Sequence, residues 1–310
     1  MQLTKQLLLL CALLFTITHG FAQEKSVELI ILGTVQDGGS PHIGCKKTCC
    51  SDLFAKPDNT RKVVALGVVD HAKNKRYLFE ATPDFTSQMR LLNEVSNATG
   101  VPDGIFLTHA HMGHYTGLMY LGREALGAKE APVYAMPKMK AFLEKNGPWE
   151  QLVTNKNIAL QTLTNETAVA LSPNLNVTPF IVPHRDEYSE TVGYIIAGPN
   201  KRVLFIPDIN KWDKWKKSIV EEIKKVDYAF IDATFFDNAE VNYRDISEIP
   251  HPFIVESMQL FESLSSEEKS KIHFIHFNHT NPALNPESEK YKIIIKKGFK
   301  VAQFGTTLKL

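Results

Sequence analysis

Runs of hydrophobic residues, short and regularly interrupted by polar ones, run the length of this chain. Val27 to Leu32, Val63 to Val69 and Arg76 to Phe79 are β-branched, aliphatic or aromatic and bounded by polar or turn residues, which predicts strands. From Phe85 to Val95 the period changes. Met89, Leu91, Leu92 and Val95 fall near helical spacing and predict a helix. Gly104 to Leu107 reads as a short buried strand that stops abruptly at Thr108-His109. A helix near Gly117 to Glu124, a strand at Val133 to Ala135 and a helix from Pro137 to Leu143 continue the first half.

The second half returns to strands at Leu175 to Val182, Thr191 to Ile196 and Val203 to Ile206. Helix Trp212 to Lys224, strand Tyr228 to Ile231, helix Pro252 to Leu264 and strand Ile272 to Phe277 follow. Helix Glu287 to Lys297 and a strand at Val301 to Phe304 close the chain. Two similar strand-and-helix halves imply sheet packed on sheet with helices over the outer faces, an α/β protein of the αββα four-layer sandwich type. No repeat, low-complexity block or Pro/Gly/Ser-rich linker divides it, so residues 23–310 are expected to form a single domain.

Composition narrows the class. The 310 residues are 44% hydrophobic and 22% charged, with a formal net charge of +1. That balance offers no field to gather nucleic acid or an anionic membrane, which leaves a small-molecule substrate as the expected partner. The oligomeric state is not legible. At the start, Lys5 precedes the apolar run Leu7 to Phe15, and the small residues Gly20 and Ala22 lie just ahead of Gln23. This is the form of a secretory signal peptide over residues 1–22, too short to span a bilayer, so the mature protein is expected to be exported, periplasmic or secreted, with no membrane anchor.

Cysteines outside that leader are Cys45, Cys49 and Cys50. Three thiolates this close, joined by a histidine from elsewhere, suit a tetrahedral structural zinc; the competing arrangement is one disulfide and one spare thiol. The strongest chemical signal is Thr108-His109-Ala110-His111-Met112-Gly113-His114. Histidines two apart at a strand end project to one side, and His114 can approach from the start of the next helix. Three imidazoles converging on zinc leave a position open for water, whose pKa the ion lowers to about 7. Later strand ends offer further ligands: His184 through Pro183, Asp208 through Pro207, and His276 and His279 at the end of Ile272 to Phe277.

These residues resemble the metallo-β-lactamase superfamily, whose hallmark is His-x-His-x-Asp-His. More narrowly they are similar to the branch of pyrroloquinoline-quinone biosynthesis protein B and related phosphodiesterases. The likeness is carried by Leu32-Gly33 with Asp37-Gly38-Gly39-Ser40-Pro41, by His114-Tyr115-Thr116-Gly117-Leu118, by Asp232-Ala233-Thr234-Phe235-Phe236 and by His276-Phe277-Asn278-His279-Thr280-Asn281-Pro282. It implies the αββα fold. It also implies His109, His111 and His184 on a first metal, His114 on a second, Asp208 bridging both, and His276 as the last ligand with His279 as its substitute. Cys45 and Cys50 match a structural-zinc cluster, in which Lys47 stands where a cysteine is usual and Cys49 is the replacement.

Gly113 replaces the aspartate of the hallmark, which implies a weakened second site. The expected reaction is hydrolysis of an ester-like bond, phosphodiester or lactone, with one or two active-site zinc ions. Asp208 would steer the nucleophile, and His251, Asp232 or Tyr115 would be the proton donor. Two other readings remain open: an iron-dependent oxygenase-type enzyme of cofactor maturation, and a non-catalytic periplasmic binding protein with a degraded site.

Overall fold

The computed structural model describes residues 27–241 and 248–310; the expected leader lies outside them. One sheet holds β1 (Val27–Gly33), β2 (Ala65–Asp70), β3 (Lys75–Phe79), β4 (Gly104–Phe106), β5 (Ala131–Ala135), β6 (Ile158–Thr162) and, from the far end of the chain, β14 (Thr307–Lys309). The other holds β7 (Val169–Ser172), β8 (Leu175–Ile181), β9 (Val192–Ala197), β10 (Arg202–Ile206), β11 (Tyr228–Asp232), β12 (Ile272–Ile275) and β13 (Lys300–Val301). Each sheet has 7 strands, ordered β14-β1-β2-β3-β4-β5-β6 and β13-β12-β11-β10-β9-β8-β7. Each is mixed, antiparallel along one half and parallel along the other.

The strand pattern explains the layering. In β1, Leu29 and Ile31 face the opposite sheet and pack with Phe79, Phe106, Tyr194, Phe205 and Phe230. Their neighbours Ile30 and Leu32 face outward, where they meet Phe85 and Leu92 of the helix Phe85–Ser96. The second sheet does the same, with Leu204, Ile206, Ile231 and Phe274 covered by Met258 and Phe261 of the segment Ile254–Phe261 and by Ile294. Strands apolar on both faces must be covered on both, and the αββα sandwich is the result.

Some predicted elements come out differently. The segment read as helix Gly117 to Glu124 is a four-residue α-helix, Met112–Tyr115, followed by a 3-10 helix, Thr116–Leu121. A Cβ at Gly117 would lie 2.1 Å from the Thr82 carbonyl oxygen, so the chain passes there too closely for a regular helix. Trp212 to Lys224 is likewise broken into a 3-10 turn, Trp212–Lys214, and a helix, Ile219–Lys224. Both indoles turn inward: Trp212 Nε1 donates to Ser257 Oγ at 2.9 Å and Trp215 Nε1 donates to the Ile181 carbonyl at 3.1 Å. The closing strand is the two-residue β13, and β14, missed in the sequence, pairs with β1. Among the described residues no helix is long and apolar enough to cross a membrane.

Parallel strands in both sheets end at one edge of the sandwich, and the loops leaving them carry the chemistry. Leu107 to His114 follow β4, Val182 to His184 follow β8, Pro207 and Asp208 follow β10, and His276 follows β12. The segment after β1 closes the same edge. Val35 bridges both Val63 and Phe277, and the Gln36 N–H donates to the Phe277 carbonyl at 2.8 Å.

Candidate metal centre

Three overlapping groups of ligand atoms meet at that edge, and two of them draw on the histidine motif. His109, His111, His184 and Asp208 form one of these two; Asp37, His114, Asp208 and His276 form the other. The third is Asp208, Asp232, His251 and His276. Asp208 belongs to all, with its Oδ2 at 3.4 Å from His109 Nε2, 3.3 Å from His184 Nε2, 3.9 Å from His114 Nε2 and 3.9 Å from His276 Nε2. His109 Nε2 and His111 Nδ1 are 2.8 Å apart. Metal–nitrogen bonds of about 2.0–2.1 Å in a tetrahedral shell separate neighbouring ligands by roughly 3.4 Å, near the observed spacings.

Whether a cation fits can be read from the atoms left without partners. His114 Nε2, His184 Nε2, His276 Nε2, Asp37 Oδ1 and Asp208 Oδ1 are buried with no hydrogen bond. His114 Nε2 and Asp37 Oδ1 are only 2.9 Å apart yet make no hydrogen bond of good geometry. Orphaned buried polar atoms are costly, on the order of 1–3 kcal/mol each, and so many at one point fit a bound metal. The charges agree. Glu80, Asp208 and Asp232 are buried and have only imidazoles as ion-pair partners among the described residues. Burial opposes protonation of His114, yet Glu80 and Asp37 outweigh it and hold the ring protonated well above the usual histidine range. A metal ion bound there would take the place of that proton.

On His109, His114 and His276 the other ring nitrogen is tied down from behind, which fixes the orientation of those imidazoles, whereas His184 Nδ1 is buried without such a partner. Thr108 Oγ lies 2.9 Å from His109 Nδ1, Glu80 Oε1 lies 3.0 Å from His114 Nδ1, and Thr234 Oγ lies 2.9 Å from His276 Nδ1. Thr108 Oγ donates to Glu80 Oε1 at 2.6 Å, joining the two supports. Two of these positions hold left-handed backbone without being glycine: Glu80 at φ 81° and His276 at φ 67°. Such conformations cost on the order of 1–3 kcal/mol and persist where the surroundings over-determine them. Here they turn a strand-end side chain back into the centre. Glu80→Gln is expected to weaken binding at the second ligand group about 10–100-fold. Titration of metal-free protein with Zn2+ checks this; an unchanged affinity would make Glu80 a packing residue only.

His251 and Asp232 divide a role that the sequence left shared. Asp232 accepts from the Thr234 N–H, Thr234 Oγ, the Ile209 N–H and His251 Nδ1, the last at 2.8 Å, and is fully buried. Both of its oxygens already accept hydrogen bonds, which suits Asp232 to orienting His251 rather than to meeting a substrate. Tyr115 is not at the centre's open face either; its ring packs on Trp149 at 4.9 Å and Phe142 at 5.3 Å. His251 keeps 14% of its side chain exposed. Burial lowers its basicity, but Asp232 and Asp208 reverse that and keep the ring protonated well above the usual range.

A second cluster lies at the loop before the helix Thr48–Ala55. Cys45, Cys49 and Cys50 converge with His279. The sulfurs are free thiols, with Cys45 and Cys49 3.9 Å apart and Cys49 and Cys50 3.9 Å apart. Metal–sulfur bonds of about 2.3 Å in a tetrahedron place sulfurs roughly 3.8 Å apart, so the spacing suits a shared ion better than a bridge. His279 thus corrects the expectation of an active-site substitute: it completes the thiol group, and His276 alone serves the second histidine group. Burial, with His42 and Lys47 nearby, pulls His279 down to about 4, which keeps it neutral and able to ligate. Neither Asp37 nor Glu80 carries a direct signal along the chain, beyond the Asp37-Gly38-Gly39 turn after the first strand.

A family model described as the beta-lactamase superfamily domain matches residues 75–274, a stretch that contains His109, His111, His114, His184 and Asp208. The chain is 26% identical over 316 residues to coenzyme PQQ synthesis protein B of Methylorubrum extorquens strain PA1, covering 92% of this chain and 100% of that relative. It is 23% identical over 309 residues to the protein of the same name from Methylococcus capsulatus strain Bath, covering 90% and 99%. Among solved structures, zinc-bound PqqB from Methylobacterium extorquens superposes with a TM-score of 0.76 at 22% identity, covering 91% of this chain and 100% of that one. A diphosphatase of the PhnP family superposes with a TM-score of 0.64 at 21% identity, covering 92% and 97%. With paired sheets under helices and a histidine-rich centre at their shared edge, this chain belongs to the beta-lactamase superfamily and has the metallo-β-lactamase fold.

Proposed function

We propose that this protein is a metal-dependent hydrolase of an ester-like bond, with zinc as its metal and a phosphodiester or lactone as its substrate. The observation that carries the reading is Asp208 Oδ2, placed 3.3 to 4.0 Å from five ligand nitrogens drawn from both groups. Metals held by these residues would supply the polarisation of a scissile oxygen and a nucleophile from water at neutral pH.

The remaining work falls to this chain's own groups. Asp208 ties the two ligand groups together and orients whatever binds between them. His111, Asp37 and His251 are the only partly exposed members, at 14%, 13% and 14% of their side chains, so the substrate approaches over them. His251, with Nδ1 fixed by Asp232, holds a proton for the leaving group. Arg185 Nη2 lies 3.4 Å from His111 Nε2 and sets a positive charge at the rim. A cavity of about 630 Å3, lined in part by His42, Lys46, Lys47 and Phe235, adds two more cations; the Phe235 ring lies 6.4 Å from that of His251. With Arg185, Lys46 and Lys47 set against Glu187 and Glu240, the approach keeps an excess of cations, which favours the anionic phosphodiester over the lactone.

The test is a purified, metal-analysed protein screened against chromogenic phosphodiesters, lactones and β-lactams. Phosphodiester turnover that disappears in a His109→Ala, His111→Ala double variant is the expected result. A fully metal-loaded protein inert towards every ester class defeats the reading. Mixed imidazole and carboxylate ligands also suit iron and oxygen chemistry, and the relatives named for coenzyme PQQ synthesis make that the second reading. Metal content after aerobic and anaerobic purification separates the two. Against a decayed binding site stand the buried ligand atoms that a cation would satisfy together.

A further inference from the structure

We propose that Asp37 is the carboxylate ligand of the second metal, delivered from the loop after β1 into the space that the missing side chain of Gly113 leaves free. The inference rests on the metal-centre reading above and assigns one of its ligands.

Gly113 sits in the turn between His111 and His114, where any side chain would point among the ligands. A Cβ at that position would lie 2.3 Å from Asp37 Oδ1, 2.6 Å from Asp37 Cα and 2.8 Å from Asp37 Cγ. The carboxylate of Asp37 therefore occupies the volume of a residue 113 side chain. It comes from a distant part of the sequence, and the fold holds it there firmly. The Val35 N–H donates to the Lys62 carbonyl at 2.9 Å, Val35 O accepts from the Val64 N–H at 2.8 Å, and the Gln36 N–H donates to the Phe277 carbonyl at 2.8 Å. The segment is pinned to both sheets immediately before Asp37, and Phe277 is the residue next to His276.

Within the centre, Asp37 Oδ1 lies 2.9 Å from His114 Nε2 and 3.6 Å from His276 Nε2. All three atoms are buried and make no hydrogen bond, and both imidazoles are fully buried. A carboxylate oxygen placed between two ligand nitrogens and hydrogen-bonded to neither is positioned for a cation. The second group is then complete with Asp37, His114, His276 and Asp208, as many protein ligands as the first. Glycine at 113 becomes a requirement of this arrangement. A larger residue there removes no ligand, yet it collides with the Asp37 backbone and drives the carboxylate out.

The test compares wild type, Asp37→Asn, Asp37→Ala and Gly113→Ala, each stripped of metal and dialysed against Zn2+ or Co2+. Bound metal is counted by elemental analysis, and the Co2+ spectrum distinguishes ions on thiolates from ions on imidazole and carboxylate. Wild type is expected to bind two ions on imidazole and carboxylate ligands. The Asp37 variants and Gly113→Ala are expected to bind the second of these about a hundredfold more weakly, at or beyond the upper end of what loss of a supporting group costs, with the first ion and the thiolate ion unchanged. The near-isosteric Asp37→Asn covers the case in which another variant fails to fold. Variants that bind both ions as tightly as wild type overturn the role of Asp37 and leave the metal-centre reading standing. A wild type that binds fewer than two such ions overturns both.

Discussion

Asp208→Ala is expected to strip the centre of both metals and to lower hydrolysis by at least about a thousandfold. The carboxylate is the one ligand common to both groups that draw on the histidine motif, and its Oδ2 stands closest to His184 Nε2 and His109 Nε2, at 3.3 and 3.4 Å. Metal polarisation and nucleophile generation together contribute several kcal/mol. At about 1.36 kcal/mol per factor of ten, that amounts to three or more powers of ten. Removing any single histidine leaves one group intact; removing Asp208 damages both. Burial would raise its carboxyl, but His184, His251 and His276 around it hold Asp208 ionised well below the usual carboxylate range, so charge as well as geometry is lost. Elemental analysis of the variant together with its phosphodiesterase rate gives the answer, with His71→Ala, a partly exposed histidine paired with Glu28, as control. An Asp208→Ala protein that keeps both ions refutes the bridging role.

The second large effect is on stability. If Cys45, Cys49, Cys50 and His279 hold a metal, Cys49→Ser or chelation is expected to lower the melting temperature by on the order of 10 °C. A ligand present at about 1,000 times its dissociation constant stabilises the native state by about 4 kcal/mol. Each kcal/mol shifts the midpoint of a chain this size by roughly 2–4 °C. The four residues join the loop before the helix Thr48–Ala55 to the segment after β12, two parts of the chain also linked by the His42–His279 stack and by backbone bonds around Val35 and Phe277. Burial, and then Cys50 beside it, push the Cys49 thiol up to about 12, so without metal it stays protonated at neutral pH. Metal binding must expel that proton, and lowering the pH therefore releases the ion and the stability it provides. A melting curve unaffected by chelator, in reduced protein, would show that the thiols hold nothing that matters to folding.

Two of the sequence expectations changed meaning in three dimensions. Gly113 reads in the sequence as a lost ligand and a weakened second site. In the fold its missing side chain is the space that Asp37 fills. His279 reads as an alternative to His276 because the two are three positions apart at one strand end. The left-handed backbone of His276 turns it inward to the centre, while His279 runs on to stack against His42 at 4.3 Å and join the cysteines.

By itself the sequence determined the sandwich and most of the first ligand group. Both depend on local pattern: strands announce themselves by runs of apolar residues, and His109, His111 and His114 lie close enough along the chain to be recognised as a unit. His184 and Asp208 were legible for the same reason, each following a strand through a proline. Only the tertiary structure decided which carboxylate faces His114, which histidine completes the thiols, and that Asp232 is placed to orient His251. Those are encounters between segments far apart in the chain, fixed by where two sheets place their edges, and no spacing along the backbone encodes them.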